Sequence, residues 1–250
     1  MFTFPDSRTL NYVNNEPFPH CVLKDSWDIS VLRDCSDEIG KFSNWDGEKN
    51  FYGSKKKRFC SDIDNLPKSI SSVIQKASTP VFLDWLSHLT GEQHLIPDPY
   101  LEGGGIHQSI NGAFLKVHAD FNWSKKLNLF RRLNVLIYLN EQWEDEWGGH
   151  LELWDSDMSN CVQKIKPEMN TMVIFTTDDI SFHGHPHPTT SPKGVFRNSI
   201  ALYYYTPIEP QKNFQEARLI TNYRPTAGEE FVVEKTISKR IRNKFKRMFQ

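Results

Sequence analysis

The sequence has few cysteines, no long apolar run and no excess of charge of either sign. Its four cysteines are scattered without a Cys-x-x-Cys pair, which argues against thioredoxin-like chemistry and against a zinc site made of thiolates. No window approaches the roughly 18 apolar residues of a membrane-spanning helix. Thirty Lys and Arg against 31 Asp and Glu leave a net charge of −1. This balance excludes a globally basic nucleic-acid-binding protein and an acidic disordered tail protein.

The first 20 residues contain prolines and polar side chains but no apolar stretch behind a basic one, so they do not form a secretory signal. We therefore expect a reduced, cytoplasmic protein. Hydrophobic residues make up 38% of the chain and aromatic residues 13%. That content supports a sizeable core and argues against wholesale disorder.

The first hundred residues predict a mixed α and β segment. Apolar residues at helical spacing and capping residues indicate three helices. A short strand is predicted at 17–24. The first helix begins after Asp25 and Ser26, the second covers about 66–77, and the third runs from Thr79 to about Thr90. Residues 45–62 are polar and predict a loop or a sheet edge, in which the basic run 55–58 would face solvent.

From about residue 100 the pattern changes to short strands separated by turn residues. Many short strands at regular spacing indicate a sandwich, jelly roll or barrel, and the preceding helices would support one of its sheets. The expected fold class is therefore α+β, mainly β. The candidate strands are 106–110, 112–119, 133–140, 150–155, 161–166, 171–176, 180–184 and 195–206.

The C-terminal stretch 237–250 holds six Lys or Arg and no acidic residue. Its large apolar residues recur every four positions, which predicts a basic amphipathic helix. Such a helix would pack on the body with its basic face in water; the alternatives are contact with an anionic surface, a nucleic acid or a protein partner. The apolar positions are Ile237, Ile241, Phe245 and Phe249.

His118 and Asp120 stand two positions apart in a strand-like segment, so their side chains share one face. His183, on a later predicted strand, supplies a third ligand, although His185 has the same parity and competes with it. Two imidazoles and one carboxylate form the facial triad of non-haem Fe(II) oxygenases, which leaves coordination positions open for a co-substrate and O₂. The sequence therefore predicts an open iron site.

Arg197 and Ser199 share one face of the last predicted strand. A buried arginine with no acidic neighbour in sequence requires an anion, and its planar guanidinium suits a carboxylate. Ser199 adds a hydroxyl donor beside it. The residues thus predict a metal with open positions together with a carboxylate-binding arginine.

The order of these residues resembles that of the Fe(II)/2-oxoglutarate-dependent oxygenases, in their prolyl 4-hydroxylase-like branch. The resemblance covers roughly residues 17–225. It includes, in chain order, His118-x-Asp120, Tyr138-Leu139-Asn140, Gly148-Gly149-His150-Leu151, His183-Gly184 and Arg197-x-Ser199.

The resemblance implies a double-stranded β-helix, a jelly roll with a metal between its two sheets. It implies that Fe(II) is bound by His118, Asp120 and His183. Arg197 would hold the distal carboxylate of 2-oxoglutarate, with Tyr138 and Ser199 as its polar partners. The implied reaction consumes O₂ and 2-oxoglutarate, releases succinate and CO₂, and hydroxylates an unactivated C–H bond, with ascorbate as a candidate reductant.

We expect a single catalytic domain over 1–225, with helical support at 17–95, a jelly-roll core at about 100–208, and a basic tail at 226–250. The expected substrate is a prolyl or other residue of a peptide or protein. The segment 121–132 carries aromatic and basic residues that would suit an acidic flank of such a peptide or an anionic small molecule; the other interpretation is a mobile, solvated loop. The alternatives are a small molecule (a free amino acid, or a glycan or lipid precursor) and a non-catalytic binding module. No specific nucleic-acid binding is expected.

Overall fold

The computed structural model describes residues 1–226. The predicted basic C-terminal helix lies outside the described residues. The helices are α1 (Ile29–Lys41), α2 (Lys68–Ala77) and α3 (Pro80–Thr90). The strands are β1 (His20–Lys24), β2 (Gly47–Phe51), β3 (Ser54–Cys60), β4 (Ile96–Pro97), β5 (Gly105–Ala119), β6 (Trp123–Ser124), β7 (Leu129–Tyr138), β8 (Leu151–Trp154), β9 (Cys161–Ile165), β10 (Thr171–Thr176), β11 (His183–His185), β12 (Arg197–Thr206) and β13 (Asn222–Tyr223).

The helix ends follow capping chemistry. Helix α3 begins after Thr79, whose hydroxyl accepts a hydrogen bond from the Phe82 amide, and ends at Gly91 in the left-handed conformation, as the sequence predicts. Helix α1 begins later than predicted, because the carboxylate of Asp28 caps it by accepting from the Ser30 amide. The predicted cap at Asp25 and Ser26 is therefore wrong.

One antiparallel sheet runs in the order β1–β10–β7–β12–β5–β11–β8–β9 and curls on itself. Its outer face packs against the three helices in the main hydrophobic core, and a second apolar cluster fills the space inside the curl. This is the double-stranded β-helix that the sequence predicts. No helix within residues 1–226 is long and apolar enough to cross a bilayer.

Strand β5 replaces two predicted strands. The sequence predicts a turn at Asn111-Gly112, but the strand continues through this point. Gly112 adopts a φ of +80° and donates its N–H to the carbonyl of Thr189, so the strand bends without reversing. The first half of β5 pairs with β12 and the second half with β11. Through this bend, β5 brings β11 and β12 to the same cavity.

The segment 45–62 forms a β-hairpin of β2 and β3, and β3 pairs along β5. The predicted loop is therefore wrong, whereas the predicted sheet edge is confirmed by β2, which pairs only with β3 among the described strands. The expectation that the whole basic run is solvated is also wrong, because Lys57 is buried. Pairing with β5 turns this side chain inward.

Candidate active site

Strands β5 and β11 bring His118, Asp120 and His183 together. His183 lies directly opposite His118 in the antiparallel register, and Asp120 follows at the end of β5. The close approach of the two strands requires Gly184, because a Cβ there would stand 2.7 Å from the Leu115 carbonyl oxygen. The ligand-type atoms of the three side chains all lie within 4.8 Å of one another, and all three residues are buried.

The two imidazoles direct acceptor atoms at the carboxylate. The Nδ1 of His118 lies 2.7 Å from the Lys116 carbonyl and that of His183 lies 2.9 Å from the Ser181 carbonyl. A carbonyl only accepts, so each Nδ1 carries a ring hydrogen, and the lone pair that each ring can offer a metal is at Nε2. These Nε2 atoms lie 3.4 and 3.5 Å from the Asp120 oxygens. Burial, with the neighbouring His118, lowers the pKa of His183 to about 4, so this ring is neutral at pH 7.

The carboxylate of Asp120 is held from behind by β7. Arg131 donates to its Oδ2 at 2.8 Å and Asn134 donates to the same atom at 2.7 Å. Although burial acts to raise the pKa of Asp120, the charge of Arg131 holds it well below its ordinary value. The aspartate is therefore ionised, and three acceptors converge with no hydrogen to share.

Convergent acceptors of this kind fit a divalent cation. Two imidazole nitrogens and one carboxylate oxygen on one side of a cavity are the donor set of the iron facial triad. His185 is not a member of the cluster in the described residues. It lies opposite Leu115, past a register shift against β5, and lines the same cavity as the equal parity predicts, but it does not reach the cluster.

Arg197 lines the same cavity. Its Nε donates to the Gly149 carbonyl at 2.6 Å and its Nη2 donates to the Tyr138 hydroxyl at 3.1 Å. Burial raises the pKa of Tyr138, so the phenol keeps its hydrogen and can donate it to a ligand. Ser199 pairs with Tyr138 across β12 and β7 and also lines the cavity. The structure thus brings all six predicted site residues to one cavity.

Several cavity residues were missed from the sequence. Arg131 and Arg132 were assigned to a substrate-facing loop at 121–132, but both lie in β7, where Arg132 binds Glu92 and the Thr177 carbonyl. Strand alternation could not have identified Arg131 as inward-facing, because a register shift between Arg131 and Leu133 puts it out of phase with the inward-facing Asn134 and Tyr138. The other missed lining residues include Lys49, Lys57, His107, Tyr203 and Tyr223. Only the pairing of β2, β3 and β13 with the sheet places the lysines and Tyr223 there.

Comparison with known proteins agrees with this geometry. Residues 104–205 match the model of the 2OG-Fe(II) oxygenase superfamily. The prolyl 3-hydroxylase OGFOD1 of Mus musculus is 24% identical over 208 residues, which are 81% of this chain and 35% of that protein. The prolyl 3,4-dihydroxylase OGFOD1 of Ostreococcus tauri is 26% identical over 215 residues, which are 78% of this chain and 39% of that protein. The chain thus spans little more than a third of the length of these curated relatives.

Two solved structures show the same fold at low sequence identity. A prolyl hydroxylase of Trichoplax adhaerens, in complex with a peptide of the hypoxia inducible factor oxygen degradation domain, has a TM-score of 0.57 and 17% identity, covering 80% of this chain and 88% of its own. HygX of Streptomyces hygroscopicus, with nickel and 2-oxoglutarate bound, has a TM-score of 0.54 and 10% identity, covering 82% and 92%. The matched segment 104–205 is thus similar to the 2OG-Fe(II) oxygenase superfamily, and the chain shares its fold with solved prolyl hydroxylases.

Proposed function

We propose that the chain is an Fe(II)- and 2-oxoglutarate-dependent dioxygenase that hydroxylates a prolyl or other residue of a peptide or protein. The observation that carries the proposal is the convergence of three buried acceptors, His118, Asp120 and His183, in a cavity that Arg197 also lines. A metal with open positions and a carboxylate-binding arginine are the two requirements of a bound 2-oxo diacid.

Each residue has a defined task in this proposal. His118, Asp120 and His183 would hold Fe(II), which with 2-oxoglutarate supplies O₂-dependent C–H oxidation with release of succinate and CO₂. Arg197 would bind the distal carboxylate, and Tyr138 would donate its hydroxyl hydrogen to the same group. Ser199 lies beside Tyr138 as a further polar partner.

A surface groove supports a peptide substrate. It adjoins the cavity at Thr221 and Tyr223, which line both. Phe51 and Ile220 line the groove and are 42% and 75% exposed, and such exposed apolar surface at a cavity mouth suits an extended chain. The named prolyl hydroxylase relatives agree with this substrate class.

The same chemistry on a small molecule is the alternative. The cavity that holds the acceptor cluster is lined largely by polar and charged side chains, which suits a small polar substrate as well as a residue of a peptide. A non-catalytic binding module is disfavoured because the donor set is complete. The single domain over 1–225, the cytoplasmic location and the use of ascorbate stay predictions from the sequence.

Isotope labelling tests the proposal. With Fe(II), 2-oxoglutarate and ¹⁸O₂, we expect succinate that carries one ¹⁸O atom, and no such product from Asp120→Ala. His88→Ala is the matched control, since His88 is an exposed residue of α3 outside the cavity. Candidate peptides and free amino acids are then compared for the gain of one oxygen atom. A folded protein that binds metal yet never converts 2-oxoglutarate would contradict the proposal.

A further inference from the structure

A row of cations crosses four neighbouring strands on the inner face of the sheet. Lys49 of β2 lies opposite Lys57 of β3, Lys57 lies opposite Ser109 of β5, and Ser109 lies opposite Arg197 of β12. Residues that face each other across antiparallel strands project to the same side. Lys49, Lys57 and Arg197 all line the cavity that contains the acceptor cluster.

Of the three cations, Lys57 is the one whose burial costs the most folding free energy. It is only 9% exposed, and it has no hydrogen-bond or carboxylate partner among residues 1–226. Burial, with the charges of Lys49 and Arg197, holds the pKa of its ammonium well below the ordinary value. Like charges directly opposite each other and buried charges without a partner both oppose folding. Buried like charges that lower the stability of the fold indicate that a ligand outside the chain binds them.

The cofactors proposed above do not account for these two lysines. Among residues 1–226, Asp120 is the one acidic residue that lines the cavity, and Arg131 already forms an ion pair with it. Fe(II) and the doubly negative 2-oxoglutarate balance each other, and Arg197 takes the distal carboxylate. Lys49 and Lys57 therefore remain without a counter-charge.

A second, independent observation concerns His107. Its side chain lies in the neighbouring row, opposite Phe59 of β3 and Ser199 of β12. It lines the same cavity, it is 6% exposed, and its Nε2 has no hydrogen-bond partner within the described chain. Buried polar atoms are nearly always paired. Because His107 has a backbone hydrogen bond with Gly103, its Nε2 is an acceptor, so it marks a place for a ligand group that donates a hydrogen bond, beside the subsite and not part of it.

We propose that Lys49 and Lys57 form an anion subsite that binds a carboxylate of the substrate beside the metal. This inference rests on the proposed dioxygenase function and assigns its substrate class. The carboxylate belongs to an acidic side chain next to the oxidised residue or to a free chain terminus. The hairpin β2–β3 thus performs the task that the sequence assigned to the basic residues of 121–132, two of which, Arg131 and Arg132, are already paired within the protein.

Inorganic phosphate probes the subsite without turnover. The protein is loaded with Mn(II) and N-oxalylglycine, an unreactive analogue of 2-oxoglutarate, and phosphate binding is followed by calorimetry. We expect one phosphate per chain, bound at least tenfold more weakly by the double variant Lys49→Met/Lys57→Met. Lys55→Met is the matched control, because Lys55 is an exposed residue of the same strand that pairs outside the cation row. Saturation with the analogue and an unchanged phosphate affinity in the double variant would overturn the inference.

Peptide pools identify the source of the carboxylate. Blocked proline pentapeptides are made with Asp and Glu, or with Asn and Gln, around the proline, and a third pool has a free C-terminus. We expect acid-containing or free-carboxylate peptides to raise succinate release at least fivefold over the amide pool, and the double variant to lose this difference. Equal stimulation by all pools, or a preference that survives in the double variant, would overturn it.

The two proposals fail in distinguishable ways. If metal and 2-oxoglutarate do not bind, the dioxygenase function fails and the subsite fails with it. If they bind while phosphate and the acidic pools show no dependence on the lysines, only the subsite fails. A thermal control separates function from structure: Lys57→Met removes a buried unpaired charge, so its Tm should rise by about 2–4 °C although phosphate binding is lost.

Discussion

The guanidinium of Arg131 lies 2.8 Å from the Oδ2 of Asp120, and both side chains are buried. Arg131 also lies over the rings of Phe121 and Tyr203, with its Cζ 4.6 and 3.4 Å from their centroids. These rings and Asn134 fix the guanidinium, which in turn fixes one carboxylate oxygen. Arg131 is thus a positioning residue for the proposed metal ligand.

Replacing Arg131 should lower the affinity for the metal more than it lowers the stability of the sheet. Arg131→Met leaves Asp120 buried with less compensation, so we expect a 10- to 100-fold loss of Mn(II) affinity, the usual range for groups that orient metal ligands. Arg132→Met is the matched control, because its guanidinium binds Glu92 outside the cavity. It should cost stability and leave Mn(II) affinity within about threefold. Equal Mn(II) affinities in the two variants would contradict the assigned role.

Gly184 sets the separation of the two histidine-bearing strands. A methyl group at this position would meet the carbonyl oxygens of Leu115 and Lys116 at 2.7 and 2.9 Å. Gly184→Ala should therefore lower the free energy of unfolding by about 1–3 kcal/mol and impair metal binding, because His183 moves away from His118. Gly40→Ala, in helix α1 with nothing within 4 Å of the new Cβ, should be neutral or stabilising. Denaturant titration with and without Mn(II) measures both effects.

Tyr138 and Arg197 should both contribute to the affinity for 2-oxoglutarate. Tyr138→Phe removes the acceptor of an Arg197 hydrogen bond and the proposed donor to the distal carboxylate. Loss of such a bond costs about 1–3 kcal/mol, so the Kd for 2-oxoglutarate should rise roughly tenfold while Mn(II) affinity stays unchanged. Arg197→Lys should raise the same Kd further, because an ammonium cannot form the paired contacts of a guanidinium. An unchanged Kd in both variants would place the co-substrate elsewhere.

The buried imidazole of His183 should give the metal-free protein a defined pH dependence. Its pKa is about 4 in the folded chain, chiefly through burial and the neighbouring His118, against about 6.5 in an unfolded chain. The unfolded state binds the extra proton, so the stability contribution is complete above pH 6.5 and is lost as pH falls toward 4, by about 3 kcal/mol in all. Unfolding in the presence of a chelator at pH 7 and 4.5 tests this. His183→Gln should lose less stability than the wild type over that interval, and parallel losses would contradict the assignment.

The local part of the site could be predicted from the sequence. Strand alternation around His118, Asp120 and Arg197 places these residues on inner faces, and the described strands keep them there. Gly148 and Gly149 also mark a real bend, with φ values of +67° and +68°. Short-range patterns of this kind depend on backbone geometry alone.

The long-range part could not be predicted. Lys57 enters the cavity only because β3 pairs with β5, about fifty residues later in the chain, and no local pattern specifies that partner. His183 and His185 both line the cavity, so parity alone could not separate them, and only the pairing with β5 places His183 opposite His118. Arg131 belongs to the segment after His118-x-Asp120 that the sequence predicts as a loop, and no local pattern identifies Asp120, eleven residues earlier, as its partner.

The most direct test of the account is the absorption spectrum of the anaerobic protein with Fe(II) and 2-oxoglutarate. A 2-oxo acid that chelates Fe(II) gives a weak visible charge-transfer band. We expect this band in the wild type, no band in His118→Ala, and a band in Arg197→Lys that requires at least tenfold more 2-oxoglutarate. A folded wild-type protein that binds Fe(II) but shows no band at saturating 2-oxoglutarate would contradict the central claim that this cavity holds the metal and the co-substrate together.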